Sequence, residues 1–390
     1  MRSEKNNNSH TANDFYEFSA PSELRKKRWP ANRSVSKKLR IVDLFSGCGG
    51  LTLGALQAAI KLAWSFEISL AIDMSLQATE VYHSNFEKLA KNIILNDITN
   101  YFTNASYSRL NKNGKCLIGQ LGKIDVLLAG PPCQGNSDLN NISRRVDPRN
   151  DLYFVPILFT KELQPDLLIV ENVPAVVHGQ SNVVSRSIAM LEKSGYVCHE
   201  LRTDLTALGL PQTRKRHLLV ASRIHTAARL VELLKSIPVK PRSIPLAKFI
   251  LDLEDISEPA KSIFSTAGSP SITNLERINY LFDNDLFDLP NSLRPPCHRD
   301  KKHSYSSMYG RLKSDAPSQT ITSGFGSMGQ GRFVHPTRRR TLTPHEAARI
   351  QGFPDYFSFD NTSSITELRQ MIGNAVAPVL SYAIITKLLG

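Results

Sequence analysis

The sequence has few cysteines and none of the features of a disulfide-stapled scaffold. Its 390 residues contain five cysteines, an odd number spread over a long chain, and no pair has metal-ligand spacing. This usage indicates free thiols in a reducing compartment and no metal site. Charged residues such as Lys61 and Glu67 interrupt the apolar stretches, and the polar start lacks the apolar run of a signal peptide. The sequence therefore predicts a soluble cytoplasmic protein without a membrane segment.

Charge and length set the remaining limits. There are 48 Lys and Arg against 35 Asp and Glu, a formal net charge of +13 at pH 7, and the hydrophobic share is 41%. This composition excludes a disordered, collagen-like or coiled-coil chain. The positive charge permits a polyanionic partner without proving one. At this length we expect one large core and a second, smaller lobe.

An alternation of short apolar runs and helical patterns marks residues 40–222. Apolar runs at 39–45, 124–129 and 167–170 suit parallel strands that are buried on both faces. Helical patterns lie between the runs, for example over residues 76–86. Strands that alternate with helices predict an α/β fold with a doubly wound sheet.

The pattern changes after residue 222. Residues 223–339 are richer in Pro, Ser and short polar clusters, and no long helical period follows Leu234. Helical patterns return at 343–351 and 367–389. The sequence therefore predicts a smaller, irregular lobe, residues 223–339, inserted into the main domain. The C-terminal part, residues 340–390, would pack back onto residues 40–222.

Residues 1–39 form a basic N-terminal extension. It begins with polar residues and carries a run of four basic residues, 25–28, followed by Trp29. Two interpretations remain open: a flexible tail that contacts phosphates, and an ordinary solvated terminus. Both predict a poorly ordered segment.

A glycine-rich turn follows the first predicted strand. Asp43 begins the segment Asp-Leu-Phe-Ser-Gly-Cys-Gly-Gly, which contains Phe45, Gly47 and Gly49. Glycines let the backbone approach a ligand closely, and the next helix presents free N–H groups. Asp73 follows Gly49 by 24 residues, a spacing that suits an acidic residue on ribose hydroxyls. The motif predicts a nucleoside-containing cofactor, with a plain tight turn as the alternative.

Cys133 follows the strongest predicted strand, in the segment Gly-Pro-Pro-Cys-Gln-Gly. The prolines fix this cysteine where active-site loops lie, and a thiolate is a strong nucleophile. The alternative is a small buried apolar side chain. That alternative suits the other four cysteines, which are Cys48, Cys116, Cys198 and Cys297.

Two further motifs end later strands. Glu171, in Glu-Asn-Val-Pro, can meet the thiol across the sheet edge, although a surface turn would also explain it. In Gln-Thr-Arg-Lys-Arg, Arg214 and Arg216 are two residues apart on an extended segment and share a face. There they could hold an anion or the edge of a base, and a solvated charged strand is the alternative.

These motifs occur in the order of one known family. The chain resembles the C5-cytosine DNA methyltransferases of bacterial restriction–modification systems over most of residues 40–222 and 318–390. The unmatched stretch coincides with that family's variable target-recognition region. The matching blocks are Asp43 to Gly50, Asp73-Met74, Asp97-Ile98, Gly130 to Gln134, Glu171 to Val173, Gln212 to Arg216, Arg340 to Gly352, and Gly373 to Val376.

The resemblance implies S-adenosyl-L-methionine as the cofactor and a Rossmann-like methyltransferase sheet that binds it. Asp73 would contact the ribose, Met74 and Ile98 would sandwich the adenine, and Asp97 would face its amino group. The residues implied to contact the cofactor are Phe45, Gly47, Gly49, Asp73, Met74, Asp97, Ile98, Asn374 and Val376.

The same resemblance implies how the reaction proceeds. Cys133 would attack C6 of a cytosine so that C5 can accept the methyl group. Glu171 would contact N3 and the exocyclic amine, and Arg216, supported by Arg214, would hold the O2 side. Because the base is shielded inside double-stranded DNA, its nucleotide must rotate out of the helix. Phosphate and groove contacts must compensate for that distortion.

The inserted lobe fits this role. Residues 223–339 contain 17 Lys and Arg against 11 Asp and Glu, so the lobe shares in the positive charge. Its glycine-rich segment, 324–331, suits a loop that approaches DNA closely, and a flexible surface loop is equally allowed. Arg340 and Glu346 would brace the lobe.

Two departures from the family pattern are mild. Asn136 stands where many relatives have an apolar residue, and Ala375 replaces a common serine. Because the thiol, carboxylate and arginines are intact, we expect an active enzyme. We also expect a monomer that is nucleoid-associated in the cytoplasm. Such enzymes are usually accompanied by a cognate restriction endonuclease that acts on the same site.

Three other functions are compatible with parts of the sequence. An RNA cytosine methyltransferase could use the same scaffold, and a catalytically silent regulator could bind DNA without transferring a methyl group. A nicotinamide-dependent oxidoreductase would explain the glycine-rich turn but leaves Cys133, Glu171 and the arginines unexplained.

Overall fold

The computed structural model describes residues 13–31, 37–103, 107, 109–132, 148–178, 182–253, 262–299, 307–362 and 364–390. The strands in these residues are β1 (Lys38–Leu44), β2 (Ser65–Asp73), β3 (Ile93–Leu95), β4 (Val126–Ala129), β5 (Leu167–Asn172), β6 (Val197–Asp204), β7 (Gln212–Thr213), β8 (Lys215–Ser222) and β9 (Ser318–Gln319). The helices are α1 (Asn13–Phe18), α2 (Pro21–Leu24), α3 (Gly50–Lys61), α4 (Leu76–Phe86), α5 (Lys112–Gly119), α6 (Val155–Leu163), α7 (Val183–Glu192), α8 (Ala227–Lys235), α9 (Ala247–Ile250), α10 (Ile272–Asp283), α11 (Pro296–Arg299), α12 (Pro344–Ile350), α13 (Ile365–Asn374) and α14 (Val379–Leu389). Short 3-10 helices lie at Glu87–Leu89, Ile98–Tyr101, Pro148–Phe154, Pro174–His178, Leu205–Leu208, Asn291–Leu293 and Met328–Gln330.

Seven strands form one sheet in the order β3-β2-β1-β4-β5-β8-β6. The first five in this order run parallel, and β8 runs antiparallel between β5 and β6. A separate parallel pair joins β7 to β9. The doubly wound α/β sheet predicted from the sequence is confirmed.

Helices cover both faces of the sheet because its central strands are apolar throughout. In β5, Leu167 and Ile169 pack into one core with α3, α4 and α14, whereas Leu168 and Val170 pack into a second core with α6 and α7. This is the two-residue alternation of an extended strand. All six residues of β5 are buried, including Glu171 and Asn172 at its end.

The C-terminal helical region differs from the single pattern predicted over residues 367–389. The chain forms α13 and α14, separated at residues 375–378, with Pro378 at the start of α14. Over Ile365–Leu389 the chain is long and apolar enough to cross a membrane, but 72% of the most apolar window is buried inside the protein. Its apolar character therefore serves the core, where α14 packs against α3.

Within residues 223–339 the structure has more regular helix than expected. The twelve-residue helix α10 lies beyond Leu234, where we predicted no long helical period. Its Ser271 cap accepts a hydrogen bond from Asn274, and Ile278 and Leu281 face a small separate core. Exposed Ile272 and other surface apolar residues blur the helical period in the sequence. The predicted domain boundaries stay predictions.

The prediction of a poorly ordered N-terminal extension is wrong for residues 13–31. Phe18 and Leu24 are buried in the main core, and the Phe18 ring stacks on Tyr382 at 5.0 Å between centroids. Trp29 lies 4.7 Å from the ring of Tyr356. The apolar side chains dock the segment because their burial outweighs the solvation of the basic run beside them. Residues 1–12 and 32–36 lie outside the described residues.

Candidate active site

Four motif residues lie in a row at one edge of the sheet. Leu44 pairs with Ile72 and with Ala129, and Ala129 pairs with Val170. The residues that follow these four, which are Phe45, Asp73, Gly130 and Glu171, therefore lie at one level, at or beside the strand ends. Their motifs are far apart in the sequence, and the parallel sheet brings them to one level. Ligands in such sheets bind outside the carboxyl ends of the strands.

The turn after β1 is shaped by backbone conformations that few residues adopt. Phe45, Gly47 and Gly49 have φ values of 56°, 53° and 95°. A side chain at Gly49 would collide with the ring of Phe86, so only glycine fits there. Above Gly47, by contrast, the described residues leave open space around the position of a Cβ atom. The turn therefore combines a tight underside with an open upper side.

Asp73 ties the end of β2 to this turn. Its carboxylate accepts hydrogen bonds from the backbone N–H of Gly47 at 2.8 Å and of Ser75 at 2.9 Å. Burial raises the pKa of Asp73, and the N–H groups of Ser75, Gly47 and Met74 oppose that shift in part. The carboxylate is thereby fixed in orientation beside the open side of the turn.

The predicted adenine contacts lie beside Asp73. The side chain of Met74 is 72% exposed, which is unusual for a large apolar residue at the end of a buried strand. Ile98 is buried, and Oδ1 of Asp97 accepts a hydrogen bond from the N–H of Thr99 at 2.9 Å. An exposed apolar side chain beside an oriented carboxylate can cover a flat ligand that carries a polar edge.

The last sequence block closes over the glycine-rich turn. A side chain at Gly50 would collide with the carbonyl of Val376, and a Cβ on Gly130 would lie 3.3 Å from Cγ2 of Val376. Asn374 is exposed at the end of α13. The structure thus brings Val376 to the row of strand ends, with Asn374 two residues away.

Glu171 and Arg216 form a buried ion pair. Nε of Arg216 lies 2.5 Å from Oε1 of Glu171, and the side chains are 12% and 9% exposed respectively. The next residue, Asn172, donates a 3.3 Å hydrogen bond from Nδ2 to the carbonyl of Pro131. This bond connects β5 to the segment that leads to Cys133. Cys133 itself, and Asn136, lie outside the described residues.

The sequence predicts that Arg214 and Arg216 share a face. In the structure, the two arginines contact different partners. The buried guanidinium of Arg214 donates hydrogen bonds to the carbonyls of Ile321 at 2.7 Å and of Gly373 and Ala375 at 3.3 Å. Arg214 therefore holds two chain segments together, whereas Arg216 holds Glu171.

A family comparison agrees with this arrangement. The family model for C-5 cytosine-specific DNA methylases matches residues 39–390, which include every motif above. The chain belongs to this family. This confirms the resemblance seen in the sequence and identifies the protein as a DNA (cytosine-5)-methyltransferase.

Individual relatives support the same assignment. The methylase is 41% identical over 372 residues to the Type II methyltransferase M1.BsuMI of Bacillus subtilis, covering 95% of this chain and 84% of that protein. It is 28% identical over 352 residues to M1.HphI of Haemophilus parahaemolyticus, covering 89% and 85%. The solved structure of the Entamoeba histolytica methyltransferase EhMeth has a TM-score of 0.60 at 17% identity, covering 89% and 97%, and shows the shared fold.

Asp43 is a buried polar residue of the methylase whose role is not evident from the sequence alone. Its Oδ2 accepts a 2.6 Å hydrogen bond from the hydroxyl of Thr52, which also contacts the hydroxyl of Tyr82. Its Oδ1 is buried with no hydrogen-bond partner among the described residues. Burial raises the pKa of Asp43 to about 7, against the hydrogen bond from Thr52. Its position at the head of the glycine-rich motif was the available signal.

The methylase also contains the brace expected from Arg340 and Glu346. Nη2 and Nη1 of Arg340 lie 2.8 Å and 2.9 Å from the two carboxylate oxygens of Glu346. Glu346 also caps α12 by accepting a hydrogen bond from the N–H of Thr343. Because such a bidentate pair is geometrically specific, it fixes the start of α12 against the end of the lobe.

Proposed function

We propose that this methylase transfers the methyl group of S-adenosyl-L-methionine to C5 of a cytosine that has rotated out of double-stranded DNA. One observation carries the proposal: the row of strand ends that joins the open glycine-rich turn to the buried pair of Glu171 and Arg216. A cofactor above the turn and a base beside Glu171 would occupy neighbouring positions along one edge of the sheet.

The residues at the turn fit the proposed cofactor. The open space above Gly47 can receive the nucleoside, and the fixed carboxylate of Asp73 can accept hydrogen bonds from ribose hydroxyls. Exposed Met74 can pack on the adenine opposite Ile98, and Asp97 can accept a hydrogen bond from the amino group. Phe45, Gly49, Asn374 and Val376 complete the proposed set. When bound, S-adenosyl-L-methionine supplies an electrophilic methyl carbon.

The base would lie between Glu171 and the segment that contains Cys133. Arg216 holds the Glu171 carboxylate in one orientation, so that it can contact N3 and the exocyclic amine without first rearranging. Arg216 would also hold the O2 side of the base, and Arg214 would maintain the surrounding segments. The hydrogen bond from Asn172 to Pro131 supports placing the thiol near this carboxylate.

The proposed chemistry uses covalent addition because C5 of cytosine is a poor nucleophile. The Cys133 thiolate forms a bond to C6, and the electron pair of the C5–C6 double bond becomes available at C5 for the methyl carbon. The bond between that carbon and the cofactor sulfur would break, and the cofactor would leave as the neutral thioether S-adenosylhomocysteine. Loss of the C5 proton and departure of the thiolate then restore the double bond. Rotating the nucleotide out of the helix exposes both carbons.

A duplex containing 5-fluorocytosine tests this route. Fluorine cannot leave C5 as a proton does, so the wild-type protein should form a covalent complex that survives denaturing electrophoresis. C133A should form no such complex and transfer no methyl groups, while its affinity for the cofactor stays within a few-fold. C116A, which alters an exposed cysteine, is the matched control and should behave as wild type. Near-normal turnover by C133A would overturn the covalent route.

Two comparisons separate the alternatives. Transfer to matched duplex DNA with none to transfer RNA supports the proposal, and the reverse would favour an RNA substrate. Cofactor binding and DNA binding without methylated product would identify a silent regulator. Mapping methylated positions on a plasmid exposed to the protein would also reveal the recognised sequence.

We also propose that the protein is the modification partner of a restriction endonuclease and acts as a cytoplasmic, nucleoid-associated monomer. The Type II methyltransferases among its relatives support the first part. Expressing the protein should protect plasmid DNA from an endonuclease of the mapped sequence. Sedimentation of the purified protein should give a mass near 43.5 kDa. Loss of protection or a dimeric mass would contradict the corresponding part.

A further inference from the structure

A polar pocket lies where α13 meets the glycine-rich segment of the lobe. Its volume is about 360 Å³. The lining combines one cation with hydroxyl and amide side chains, and no carboxylate lines it among the described residues. The polar side chains that matter here are Ser323, Ser327, Thr366, Arg369, Gln370 and Asn374.

The guanidinium of Arg369 is held between two glycines. A Cβ atom at either Gly268 or Gly326 would collide with it, so both positions must lack a side chain for Arg369 to adopt this conformation. Two of its nitrogens, Nε and Nη2, are buried and have no hydrogen-bond partner among the described residues. Burial accordingly lowers the pKa of Arg369. The described residues therefore hold the cation in place without an acceptor for these two nitrogens.

An unpaired, partly desolvated guanidinium is costly because arginine stays charged and offers five N–H donors. The shortfall is relieved by an acceptor that carries negative charge. Among the described residues no carboxylate lines the pocket, so a ligand that enters it can supply the missing negative charge. An anionic ligand meets this requirement.

The donors around Arg369 favour a phosphate group. Guanidinium groups match phosphate oxygens in geometry. Serine, threonine, asparagine and glutamine side chains are, with arginine and lysine, the usual contacts to the DNA backbone. Apart from Gly324 and Gly326, the lining of this pocket consists of those residue types.

The location of the pocket indicates which phosphate it would bind. Asn374 belongs both to the pocket and to the last motif of the methylase. Arg214, two residues from Arg216, ties together the carbonyls of Ile321 and Gly373, which flank the pocket walls. The pocket is therefore connected to the pair of Glu171 and Arg216 through one short segment.

We propose that this pocket binds a backbone phosphodiester of the DNA duplex close to the target cytosine, with Arg369 as its principal ligand. The inference rests on the proposed function, because it requires DNA at the active site. Such a contact fixes the position of the duplex and carries no sequence information.

The dependence of DNA affinity on salt concentration tests the proposal. We expect R369Q to bind duplex DNA more weakly, to raise KM for DNA, and to lower the slope of log K against log salt by about 0.9, the loss of one phosphate contact. The weakening should be similar for specific and unrelated duplexes. R229Q, which removes an exposed arginine from α8, is the matched control and should leave the slope unchanged. Cofactor affinity and the unfolding midpoint of R369Q establish that the variant is folded.

A second variant keeps the charge and moves it. G326A places a methyl group where the guanidinium lies, so it should also reduce the slope although no charge is lost. Replacing single phosphates near the target by neutral methylphosphonates should weaken binding by wild type at one position and not by R369Q. Competition by millimolar inorganic phosphate alone, without the methylphosphonate effect, would show a free-anion site and overturn the proposal.

The outcomes distinguish this inference from the proposed function. If wild type methylates duplex DNA and R369Q keeps the wild-type slope, the phosphate site is wrong and the function stands. If wild type neither binds nor methylates duplex DNA, the proposed function is wrong, and the phosphate site is wrong as well because it requires bound DNA.

Discussion

The guanidinium of Arg214 donates a 2.7 Å hydrogen bond to the carbonyl of Ile321, which lies 107 residues further along the chain. The same guanidinium contacts the carbonyls of Gly373 and Ala375. One buried side chain thus joins the segment before β8, the lobe and the last motif. Arg214 and Arg216 are close in sequence, yet one organises the walls of the site and the other orients its carboxylate.

Replacing Arg214 should therefore weaken the binding of cofactor and DNA more than it slows the chemical step. In R214K the shorter point charge cannot reach three carbonyls, and leaving them unpaired costs about 1 to 3 kcal/mol each. We expect the KM values for cofactor and DNA to rise more than kcat falls. Steady-state kinetics with each substrate varied in turn measures this. A fall in kcat alone would contradict a positioning role.

Replacing Arg216 should instead affect the chemical step. R216M leaves Glu171 buried without its partner, and breaking a buried ion pair in this way costs about 3 to 5 kcal/mol of stability. We expect kcat/KM to fall by at least about a hundredfold, as for loss of about 3 kcal/mol of transition-state stabilisation. Single-turnover methyl transfer measures the step, and cofactor affinity serves as the internal control. Equal losses in R214K and R216M would show that the two arginines act together.

Much of the site could be predicted because it depends on local sequence and one topological rule. Apolar runs that end in glycine, proline or acidic residues place Phe45, Asp73, Gly130 and Glu171 at one edge of a parallel sheet. The helix predicted over residues 76–86 is α4, because Ser75 caps its start and the apolar period is clear.

The remaining features could not be predicted because they depend on contacts between distant segments. Nothing in the local sequence of Arg214 specifies carbonyls 107 to 161 residues away. Arg369 is held by two glycines from the lobe. The docking of residues 13–31 likewise requires a surface that exists only after the main domain has folded.

The buried carboxylate of Glu346 should make stability depend on acid. Burial raises its pKa, but hydrogen bonds and charges from His335 and Arg340 outweigh burial and lower the pKa from 4.5 to about 2. Because the folded value lies below the unfolded one, the stabilisation is full above about pH 4.5 and is lost as the pH falls toward 2. Its size is about 3 kcal/mol.

Urea unfolding between pH 3 and 7 measures this contribution. E346Q should be less stable than wild type at pH 7, and the difference should shrink as the pH falls. E80Q, which alters an exposed carboxylate on α4, should follow the wild-type curve throughout. A constant difference between E346Q and wild type over this range would show that the ion pair does not lower the pKa of Glu346 in the folded protein.

The packing of residues 13–31 on the main core should contribute to the stability of the protein. Leu24 is 1% exposed in the main core, and its carbonyl accepts a 2.8 Å hydrogen bond from the N–H of Asp355. L24A removes buried methyl groups and leaves a cavity, so it should lower the free energy of unfolding by about 2 to 5 kcal/mol. K27A changes an exposed side chain three residues later and should shift it by less than about 0.5 kcal/mol. If both variants unfold at the wild-type urea midpoint, residues 13–31 do not pack on the methylase core, and the extension is a free basic tail after all.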